Sequence, residues 1–216
     1  MLDLYIDSAD RALAEPLLRY RCFTGLTTNP TLLQAAGVRR QHLGELVDWA
    51  VVAGARKVFL QSWGGTADDL LTNGRELRAL GDKVVVKVPV TEAGIHAAAI
   101  LESEGTPVLV TAVYNSTQAL PAMAIGASYI APYFGRMCDA GRDGLREIER
   151  MQKAISAAGS TTRILVASLR EPADALALAA LGVRDLTMAP AAWAKFFTDP
   201  LTEAAVEEFE QAAIAL

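Results

Sequence analysis

The sequence is poor in the residues that build metal centres and disulfide frameworks. Its 216 residues include only two cysteines, Cys22 and Cys138, and two histidines, His42 and His96. Two scattered cysteines cannot form a disulfide framework, so we expect a protein of the reducing cytoplasm. The two histidines lack metal-ligand spacing and lie in helix-like sequence, so we expect exposed polar roles for them and no bound metal.

Positive charge and long apolar runs are also scarce. Lys and Arg number 20 against 25 Asp and Glu, a formal net charge of -5, and no basic stripe is present to bind a nucleic acid backbone. No apolar run is long enough to span a membrane, and the start MLDLYIDSAD carries acids instead of the basic and apolar regions of a signal peptide. With 52% hydrophobic residues, the length fits one domain over residues 1–216 with a full core.

Short β-rich runs alternate with longer alanine- and leucine-rich stretches eight times along the chain. The predicted strands are Leu2–Ile6, Phe23–Thr27, Lys57–Gln61, Lys83–Lys87, Pro107–Thr111, Tyr129–Tyr133, Arg163–Ala167 and Arg184–Thr187. The predicted helices are Ala9–Tyr20, Thr31–Ala53, Thr66–Leu80, Glu92–Ser103, Ser116–Ile125, Gly144–Ala158, Pro172–Leu181 and Pro190–Phe197. Eight units without a long linker predict an α/β fold, a (β/α)8 TIM barrel. A doubly wound open sheet is the alternative, although neither a GxGxxG turn nor a Walker sequence supports it.

A ninth helix is predicted at Pro200–Leu216. Apolar residues recur along it at helical spacing and form one stripe, with acids elsewhere. The stripe does not reveal which chain it contacts. The helix either covers the outer helices of the barrel or packs onto a neighbouring subunit of a homo-oligomer.

Lys87 stands at the end of an unusually apolar run, KVVVKVP at 83–89. Strand side chains alternate between faces, so Lys83, Val85 and Lys87 share one side of the strand. Lys83 lies at the entrance and can reach water, whereas Lys87 lies at the exit, just before Pro89. A poorly hydrated amine favours its neutral form, which makes Lys87 a candidate Schiff-base nucleophile. A surface lysine whose ammonium reaches water is the alternative.

In a barrel of this kind the chemistry lies at the carboxyl ends of the strands, and here those ends are polar. The candidate site residues are Asp7, Thr27, Asn29, Gln61, Lys87, Thr111, Tyr133, Arg136, Ser168 and Arg170.

Each polar residue also has a structural interpretation when it is taken alone. Asp7 and Asn29 can cap the helices that follow them, although an N-cap can serve a ligand as well. Thr111 can end its strand with a backbone hydrogen bond, Gln61 can be a polar residue at the sheet's rim, and Tyr133 can pack with its hydroxyl in water.

Taken together, these groups fit carbon–carbon bond chemistry at a lysine. Addition of the amine to a ketone needs a proton donor for the departing water, and bond cleavage needs a group that moves protons. Tyr133, Asp7 and Gln61, the last through a held water, can supply these functions.

A phosphate site is expected after strands six and seven. Arg136, Ser168 and Arg170 lie close to where barrels of this kind often hold a phosphate. The turn Gly159–Thr162 has a phosphate-binding composition but precedes strand seven, so it should face the opposite end and serve as a plain connection.

The chain resembles the class I aldolases of the transaldolase group, in particular the short fructose-6-phosphate aldolases. The segments that carry the resemblance are LYID (4–7), GLTTNP (25–30), VKVPVT (86–91), TAVY (111–114), APYFGR (131–136) and Ala-Ser (167–168). Together, TTNP and KVP are highly specific, and the similarity extends over nearly the whole chain.

The resemblance implies a role for each candidate residue. It makes Lys87 the Schiff-base lysine and implies a decameric homo-oligomer without a cofactor. Asp7, Thr27, Asn29 and Thr111 fall on positions that hold the hydroxyls of the donor or assist proton transfer, and Arg136 and Ser168 on positions that hold the acceptor's phosphate. Gln61 and Tyr133 fall where transaldolases proper have glutamate and phenylalanine, which favours the aldolase branch.

The leading interpretation is a lyase that cleaves fructose 6-phosphate reversibly to dihydroxyacetone and glyceraldehyde 3-phosphate. The alternatives are a transaldolase, which transfers the dihydroxyacetone unit to an aldose, and a non-catalytic sugar-phosphate-binding barrel. Two departures from the family pattern bear on substrate preference: the aromatic segment Ser62–Gly65 after Gln61, and Asn115 after TAVY. We expect no nucleic acid or membrane partner.

Overall fold

A computed structural model describes residues 2–216 and shows a closed barrel of eight parallel strands in sequence order. The strands are β1 (Asp3–Asp7), β2 (Phe23–Thr27), β3 (Lys57–Gln61), β4 (Val84–Pro89), β5 (Val108–Val113), β6 (Tyr129–Pro132), β7 (Arg163–Leu169) and β8 (Asp185–Met188). This confirms the predicted (β/α)8 barrel and excludes the open sheet.

Helices connect the strands and surround the barrel. They are α1 (Arg11–Leu18), α2 (Pro30–Ala35), α3 (Leu43–Val52), α4 (Ala67–Arg78), α5 (Glu92–Ser103), α6 (Ala119–Ala124), α7 (Phe134–Asp139), α8 (Gly144–Ala157), α9 (Pro172–Ala180), α10 (Pro190–Ala194) and α11 (Pro200–Ile214). Single 3-10 turns lie at Arg40–His42, Ser116–Gln118 and Lys195–Phe197.

Strand β4 shows why these residues form a buried strand. Val84, Val86 and Val88 belong to the core between the barrel and its helices, whereas Val85 packs in the barrel interior with residues of other strands. Burying one valine side chain contributes about 1.5–3 kcal/mol. The predicted alternation therefore holds, and it places Lys87 on the inner face two residues beyond Val85.

The barrel interior is closed at the amino ends of the strands by a group of charged and phenolic side chains. This amino-end network consists of Asp3, Tyr5, Lys57, Tyr129, Arg163 and Asp185. The Arg163 guanidinium donates to Asp185 Oδ2 at 2.7 Å and to Asp3 Oδ2 at 2.6 Å. Burial raises the pKa of Asp185 to about 6, although the charge of Arg163 opposes this.

The prediction of one helix over Thr31–Ala53 is wrong, because the chain leaves the helix in the middle of this range. Helix α2 ends at Ala35, and Gly37 follows with φ +69, a left-handed conformation that glycine adopts without steric cost. The chain then forms the 3-10 turn Arg40–His42 before α3 begins. A glycine inside an apolar periodic run was the signal for this break.

Helix α7 was not predicted. Tyr133, placed at the end of strand six by the sequence, follows β6 and directly precedes α7. Phe134 and Met137 are buried on one side of α7. Because α7 has only six residues, its sequence is too short to show a helical apolar period that would distinguish it from a loop.

Helix α11 lies where the ninth helix was predicted, but it does not cover the outer helices of the barrel. None of its residues is buried, and Leu201, Phe209 and Ile214 are 81%, 68% and 85% exposed. The interpretation that this stripe covers its own barrel is therefore wrong. Among residues 2–216, no helix combines the length and the apolar composition needed to cross a membrane.

Candidate active site

A cavity of about 400 Å³ opens at the carboxyl ends of the strands. Its polar lining residues from the predicted set are Asp7, Thr27, Asn29, Gln61, Lys87, Tyr133, Arg136 and Ser168. The structure thus brings together eight of the ten candidates. Thr111 and Arg170 do not line the cavity.

Lys87 is the buried amine of this cavity. Its side chain is on the inner face of β4, 5% exposed, and Nζ donates a hydrogen bond to the Thr28 carbonyl at 2.5 Å. Burial lowers the pKa of Lys87 to about 8, and the charge of Asp7 only partly offsets this. The surface-lysine interpretation is therefore wrong, and the neutral amine is more populated near neutral pH than that of an exposed lysine.

Asp7 is the last residue of β1, and its carboxylate interacts electrostatically with the Lys87 amine. Burial raises the pKa of the Asp7 carboxyl, while the positive charge of Lys87 and the Thr27 hydroxyl act in the opposite direction. Thr27 donates to Asp7 Oδ1 at 2.7 Å. Asp7 does not cap the next helix, because Asp10 accepts from the first amides of α1. A carboxyl with a raised pKa can both accept and return a proton.

Thr187 of β8 was missed by the sequence analysis. It lines the cavity, and its hydroxyl lies 2.6 Å from that of Thr27. Because Thr27 donates its one hydroxyl hydrogen to Asp7, Thr187 is the donor in this bond, and its oxygen lies 3.3 Å from the Tyr5 carbonyl oxygen. The two threonines therefore form a hydroxyl chain that holds Asp7 from one side. Thr187 ends the predicted eighth strand, so the strand-exit rule would have found it.

Asn29 has both roles that its sequence context allows. Its Oδ1 accepts from the Leu32 amide at 3.0 Å and so caps α2, with Pro30 at the first helical position. The same side chain lines the cavity beside Lys87. Capping therefore fixes the side chain that faces the ligand space.

Tyr133 and Thr111 form a pair on the opposite wall. The half-buried Tyr133 lines the cavity, and its hydroxyl lies 2.8 Å from that of the buried Thr111. Thr111 itself is outside the cavity lining. It is therefore placed to orient the Tyr133 phenol.

Arg136, on α7, is the exposed cation at the cavity's rim. Its guanidinium lies over the Tyr133 ring at 5.0 Å from the centroid. A hydrogen bond to Tyr114 raises the pKa of Arg136. Among residues 2–216 it forms no ion pair. The guanidinium is therefore available to an anion in the cavity.

Arg170 lies near the rim, beside Gly135, but does not line the cavity. Its guanidinium makes two parallel hydrogen bonds to the Asp139 carboxylate, at 2.9 and 2.6 Å, and both side chains are exposed. Arg170 was predicted as a phosphate ligand beside Arg136, but the structure pairs it with an acid outside the cavity lining.

Two bulged strand ends shape the cavity's rim. The register shifts at Ala112 of β5 and at Ser168 of β7, and both residues have a positive φ, 60° and 61°. In β7 the bulge directs both Ala167 and Ser168 into the cavity. Gly135 of α7 packs against this bulge so closely that a Cβ would lie 2.3 Å from the Ser168 carbonyl oxygen. Only glycine fits there.

The two departures from the family pattern lie beside the cavity lining. Trp63 is held by Arg40, whose guanidinium lies 4.1 Å from the ring centroid, and by Asn73, which donates to the Trp63 carbonyl at 2.7 Å. Asn115 caps the turn Ser116–Gln118. Trp63 lines a separate groove that meets the cavity at Gln61.

The remaining candidates for ligand binding are unsupported. The turn Gly159–Thr162 lies beside Arg163 and Asp185 at the amino end, as predicted for a plain connection. Within residues 2–216 no three His, Cys, Asp or Glu side chains are grouped so that they could hold a metal ion.

Comparison with known proteins gives consistent results. Residues 4–215 match the family described as "Transaldolase/Fructose-6-phosphate aldolase". Curated relatives include a "Probable transaldolase" of Aquifex aeolicus (strain VF5), 35% identical over 96% of this chain and 94% of the relative. Another from Kosmotoga olearia is 33% identical over 95% of this chain and 93% of the relative.

A solved structure adds support for the fold alone. The thiamine phosphate pyrophosphorylase from Pyrococcus furiosus superimposes with a TM-score of 0.57 over 87% of this chain and 85% of that chain. Its sequence is 18% identical, so the likeness concerns the barrel and not the chemistry.

Proposed function

We propose, from the premise that the chain belongs to the transaldolase/fructose-6-phosphate aldolase family, that it is the aldolase: it cleaves fructose 6-phosphate reversibly to dihydroxyacetone and glyceraldehyde 3-phosphate. Family membership supports aldolase-type chemistry on sugar phosphates, which lyase and transferase share. The observation that carries the proposal is the buried Lys87 amine, with a pKa of about 8, in one cavity with Asp7 and Tyr133.

The first step is imine formation. The neutral Lys87 amine attacks the C2 carbonyl of the open-chain ketose, and the carbinolamine loses water to give a protonated imine. The departing hydroxyl takes a proton from the Tyr133 phenol or the Asp7 carboxyl. Burial supports this step because it lowers the fraction of Lys87 that is protonated.

The second step breaks the C3–C4 bond. The Asp7 carboxylate accepts the proton of the C4 hydroxyl, C4 becomes the aldehyde of glyceraldehyde 3-phosphate, and the bonding electrons move into the imine to form an enamine. The raised pKa of Asp7 supports this role, because a carboxylate with a raised pKa is a stronger proton acceptor.

The third step releases the donor. The Tyr133 phenol, oriented by Thr111, protonates C3 of the enamine, and a water held by Gln61 hydrolyses the resulting imine. Dihydroxyacetone leaves, and Lys87 is regenerated. Throughout, Arg136 and Ser168 hold the phosphate of the acceptor at the other side of the cavity, while Thr27 and Asn29 hold hydroxyls of the donor.

Transaldolase is the second candidate, favoured by the names of the two curated relatives. It shares the imine and the cleavage step and differs in the fate of the enamine. In the transferase an aldose captures the enamine before it is protonated. Gln61 and Tyr133, in place of the glutamate and phenylalanine of transaldolases proper, support the aldolase.

One experiment separates the two candidates. Purified protein is given fructose 6-phosphate with and without erythrose 4-phosphate, and dihydroxyacetone and sedoheptulose 7-phosphate are measured in one time course. The proposal predicts release of dihydroxyacetone in both mixtures. Transfer that greatly exceeds release would establish the transaldolase instead.

Two substitutions sharpen this test. Tyr133→Phe removes the phenol that protonates the enamine, so release should slow while the enamine lives longer and transfer rises relative to release. Gln61→Glu should add to the shift, because it introduces the glutamate that transaldolases proper have at this position. An unchanged ratio in the double variant would assign the branch to other residues.

The family resemblance and the exposed stripe of α11 support a homo-oligomer. We propose that α11 packs on a neighbouring subunit, with a decamer as the expected assembly. Sedimentation velocity checks this, and Leu201→Ser with Phe209→Ser should shift the protein to smaller species. A wild-type protein that stays monomeric at micromolar concentration would contradict it.

A further inference from the structure

Two buried threonine hydroxyls form a chain that ends on Asp7. Thr27 donates to Asp7 Oδ1 at 2.7 Å, and the hydroxyl oxygens of Thr27 and Thr187 lie 2.6 Å apart. A carboxylate only accepts hydrogen bonds, and each hydroxyl has one hydrogen to donate. Because the hydrogen of Thr27 is directed at Asp7, the hydrogen of Thr187 is directed at Thr27.

This direction leaves the Thr187 oxygen as an acceptor only. The Tyr5 carbonyl is a more distant acceptor, at 3.3 Å, and Trp193 Nε1 already donates to it at 2.9 Å. Among residues 2–216 no group donates to Thr187 Oγ1 once Thr27 is the recipient. Its lone pairs are therefore open, on a side chain that lines the cavity. A hydroxyl group of a ligand can donate to them, whereas a carbonyl oxygen or an ionised phosphate cannot.

Thr187 lies at the bottom of the cavity. In the sheet it pairs with Tyr5, which precedes Asp7 by two residues and belongs to the packed interior of the barrel. The Thr187 side chain is 1% exposed, and Leu109 of the same interior lines the cavity with it. Arg136, by contrast, is exposed at the rim. The open acceptor therefore lies at the end of the cavity away from Arg136.

The proposed function determines which substrate group reaches this acceptor. With the phosphate on carbon 6 at Arg136 and carbon 2 bonded to Lys87, carbon 1 is at the end of the ketose away from the phosphate. Lys87 is 5% exposed, so the imine itself lies deep in the cavity. Carbon 1 and its hydroxyl then point away from the rim, towards the end of the cavity where Thr187 lies.

We propose that Thr187 is a further substrate-binding residue, and that its hydroxyl oxygen accepts a hydrogen bond from the C1 hydroxyl of the ketose. The inference rests on the proposed function, which supplies the orientation of the substrate. It deepens that function, because such a contact distinguishes a ketose that has a C1 hydroxyl from its 1-deoxy analogue. The hydroxyl chain connects this contact to Asp7 through Thr27.

The test compares cleavage of fructose 6-phosphate with cleavage of 1-deoxyfructose 6-phosphate, which lacks only the C1 hydroxyl. Glyceraldehyde 3-phosphate is measured with erythrose 4-phosphate present, so that an aldolase and a transaldolase both release it. Thr187→Val removes the hydroxyl and keeps the shape of the side chain. The ratio of kcat/KM for the two ketoses should fall about fivefold, the value of one hydrogen bond between uncharged groups. Any effect transmitted through Thr27 is common to both ketoses and cancels in the ratio.

Two further variants serve as controls. Thr187→Ser keeps the hydroxyl and should restore the wild-type ratio. Thr162→Val is the matched control at the other end of the barrel, because Thr162 is 3% exposed and its hydroxyl accepts from Ser160 at 3.1 Å. It should leave the ratio unchanged. If valine disturbs the fold, Thr187→Ala gives a second measurement of the ratio, and turnover of the 1-deoxy compound shows that the site is intact.

Two results would overturn the proposal. An unchanged ratio in Thr187→Val, including equal losses for both ketoses, would mean that Thr187 supports Thr27 and Asp7 without touching the C1 hydroxyl. A ratio in Thr187→Ser as low as in Thr187→Val would mean that the methyl group matters and not the hydroxyl. Failure of the proposed function looks different. The wild-type protein would then release no glyceraldehyde 3-phosphate from either ketose, with or without erythrose 4-phosphate.

Discussion

The two ends of the barrel hold the same residue types in different electrostatic surroundings. Both include a lysine, a tyrosine, an aspartate and an arginine: Lys57, Tyr129, Asp185 and Arg163 at the amino end, and Lys87, Tyr133, Asp7 and Arg136 at the carboxyl end. At the amino end Lys57 bonds the Tyr129 phenol, and Arg163 bonds the buried Asp185. At the carboxyl end the same groups surround open space.

Pairing decides what each group can do. Arg163 satisfies Asp185 and Asp3, so their charges serve to close the barrel. Lys87 has a backbone carbonyl as its hydrogen-bond acceptor, and its burial is only partly compensated by Asp7. The uncompensated cost appears as a lowered pKa, which is what imine chemistry requires. Residue type alone therefore does not identify a site.

The largest effect should separate the two lysines. Lys87→Met removes the proposed nucleophile, so the proposed aldol cleavage should fall on the order of 10⁴-fold or more. Borohydride trapping of dihydroxyacetone, read by mass spectrometry, should disappear. Lys57→Met is the matched control and should still be trapped. A persisting adduct in Lys87→Met would place the nucleophile elsewhere.

At the amino end, a substitution should lower stability and leave imine trapping intact. Arg163→Met leaves the fully buried Asp185 without its cation and should lower the free energy of unfolding by about 3 kcal/mol. Denaturant titration of a protein with intact trapping measures this. Arg136→Met, which breaks no ion pair, is the control and should change stability little. Equal losses in both variants would remove the distinction between the ends.

Lys87→Met should in turn stabilise the protein, in a pH-dependent way. The native pKa of about 8 lies below the ordinary 10.5, so the native state disfavours the charged amine. At pH 7 the variant should exceed wild type by on the order of 3 kcal/mol. Between pH 8 and 10.5 the unfolded chain binds more protons than the native one, so wild-type stability rises with pH and the gap closes. A gap independent of pH would contradict the burial effect.

The smallest effect should come from Arg170. Its pairing with Asp139 is exposed, and such pairs contribute about 0–1 kcal/mol. Arg170 also does not line the cavity. Arg170→Ala should therefore change stability little, and KM for glyceraldehyde 3-phosphate less than about twofold. A loss as large as that of Arg136→Ala would restore Arg170 as a phosphate ligand, as the sequence predicted.

Much of the barrel was predictable because its elements are locally specified. The bounds of β2, β3 and α5 coincide with the predicted ones, since each is an apolar run between clear turn or cap residues. In a barrel the last residues of the strands face the same end, and this rule then identified most of the polar residues of the cavity lining.

The rest depended on backbone irregularity and distant pairing. Strict alternation from Thr111 would turn Val113 inward and Tyr114 outward, but the bulge at Ala112 places Val113 in the outer core and Tyr114 in the cavity. No local sequence pattern predicts such a bulge at a residue other than glycine. Likewise, Arg170 and Asp139 are 31 residues apart, and no local pattern indicates that they pair.

The left-handed backbone of Ser168 has a consequence for the thermodynamics of the proposed phosphate binding by its hydroxyl. A serine at φ 61° costs roughly 1–3 kcal/mol, which the surrounding fold supplies before any ligand arrives. The hydroxyl is thus preorganised, and binding need not order it. Ser168→Ala would keep this backbone and remove the contact, a loss that calorimetry records in the enthalpy. Ser168→Gly would also free the chain, so its additional loss would appear as unfavourable binding entropy.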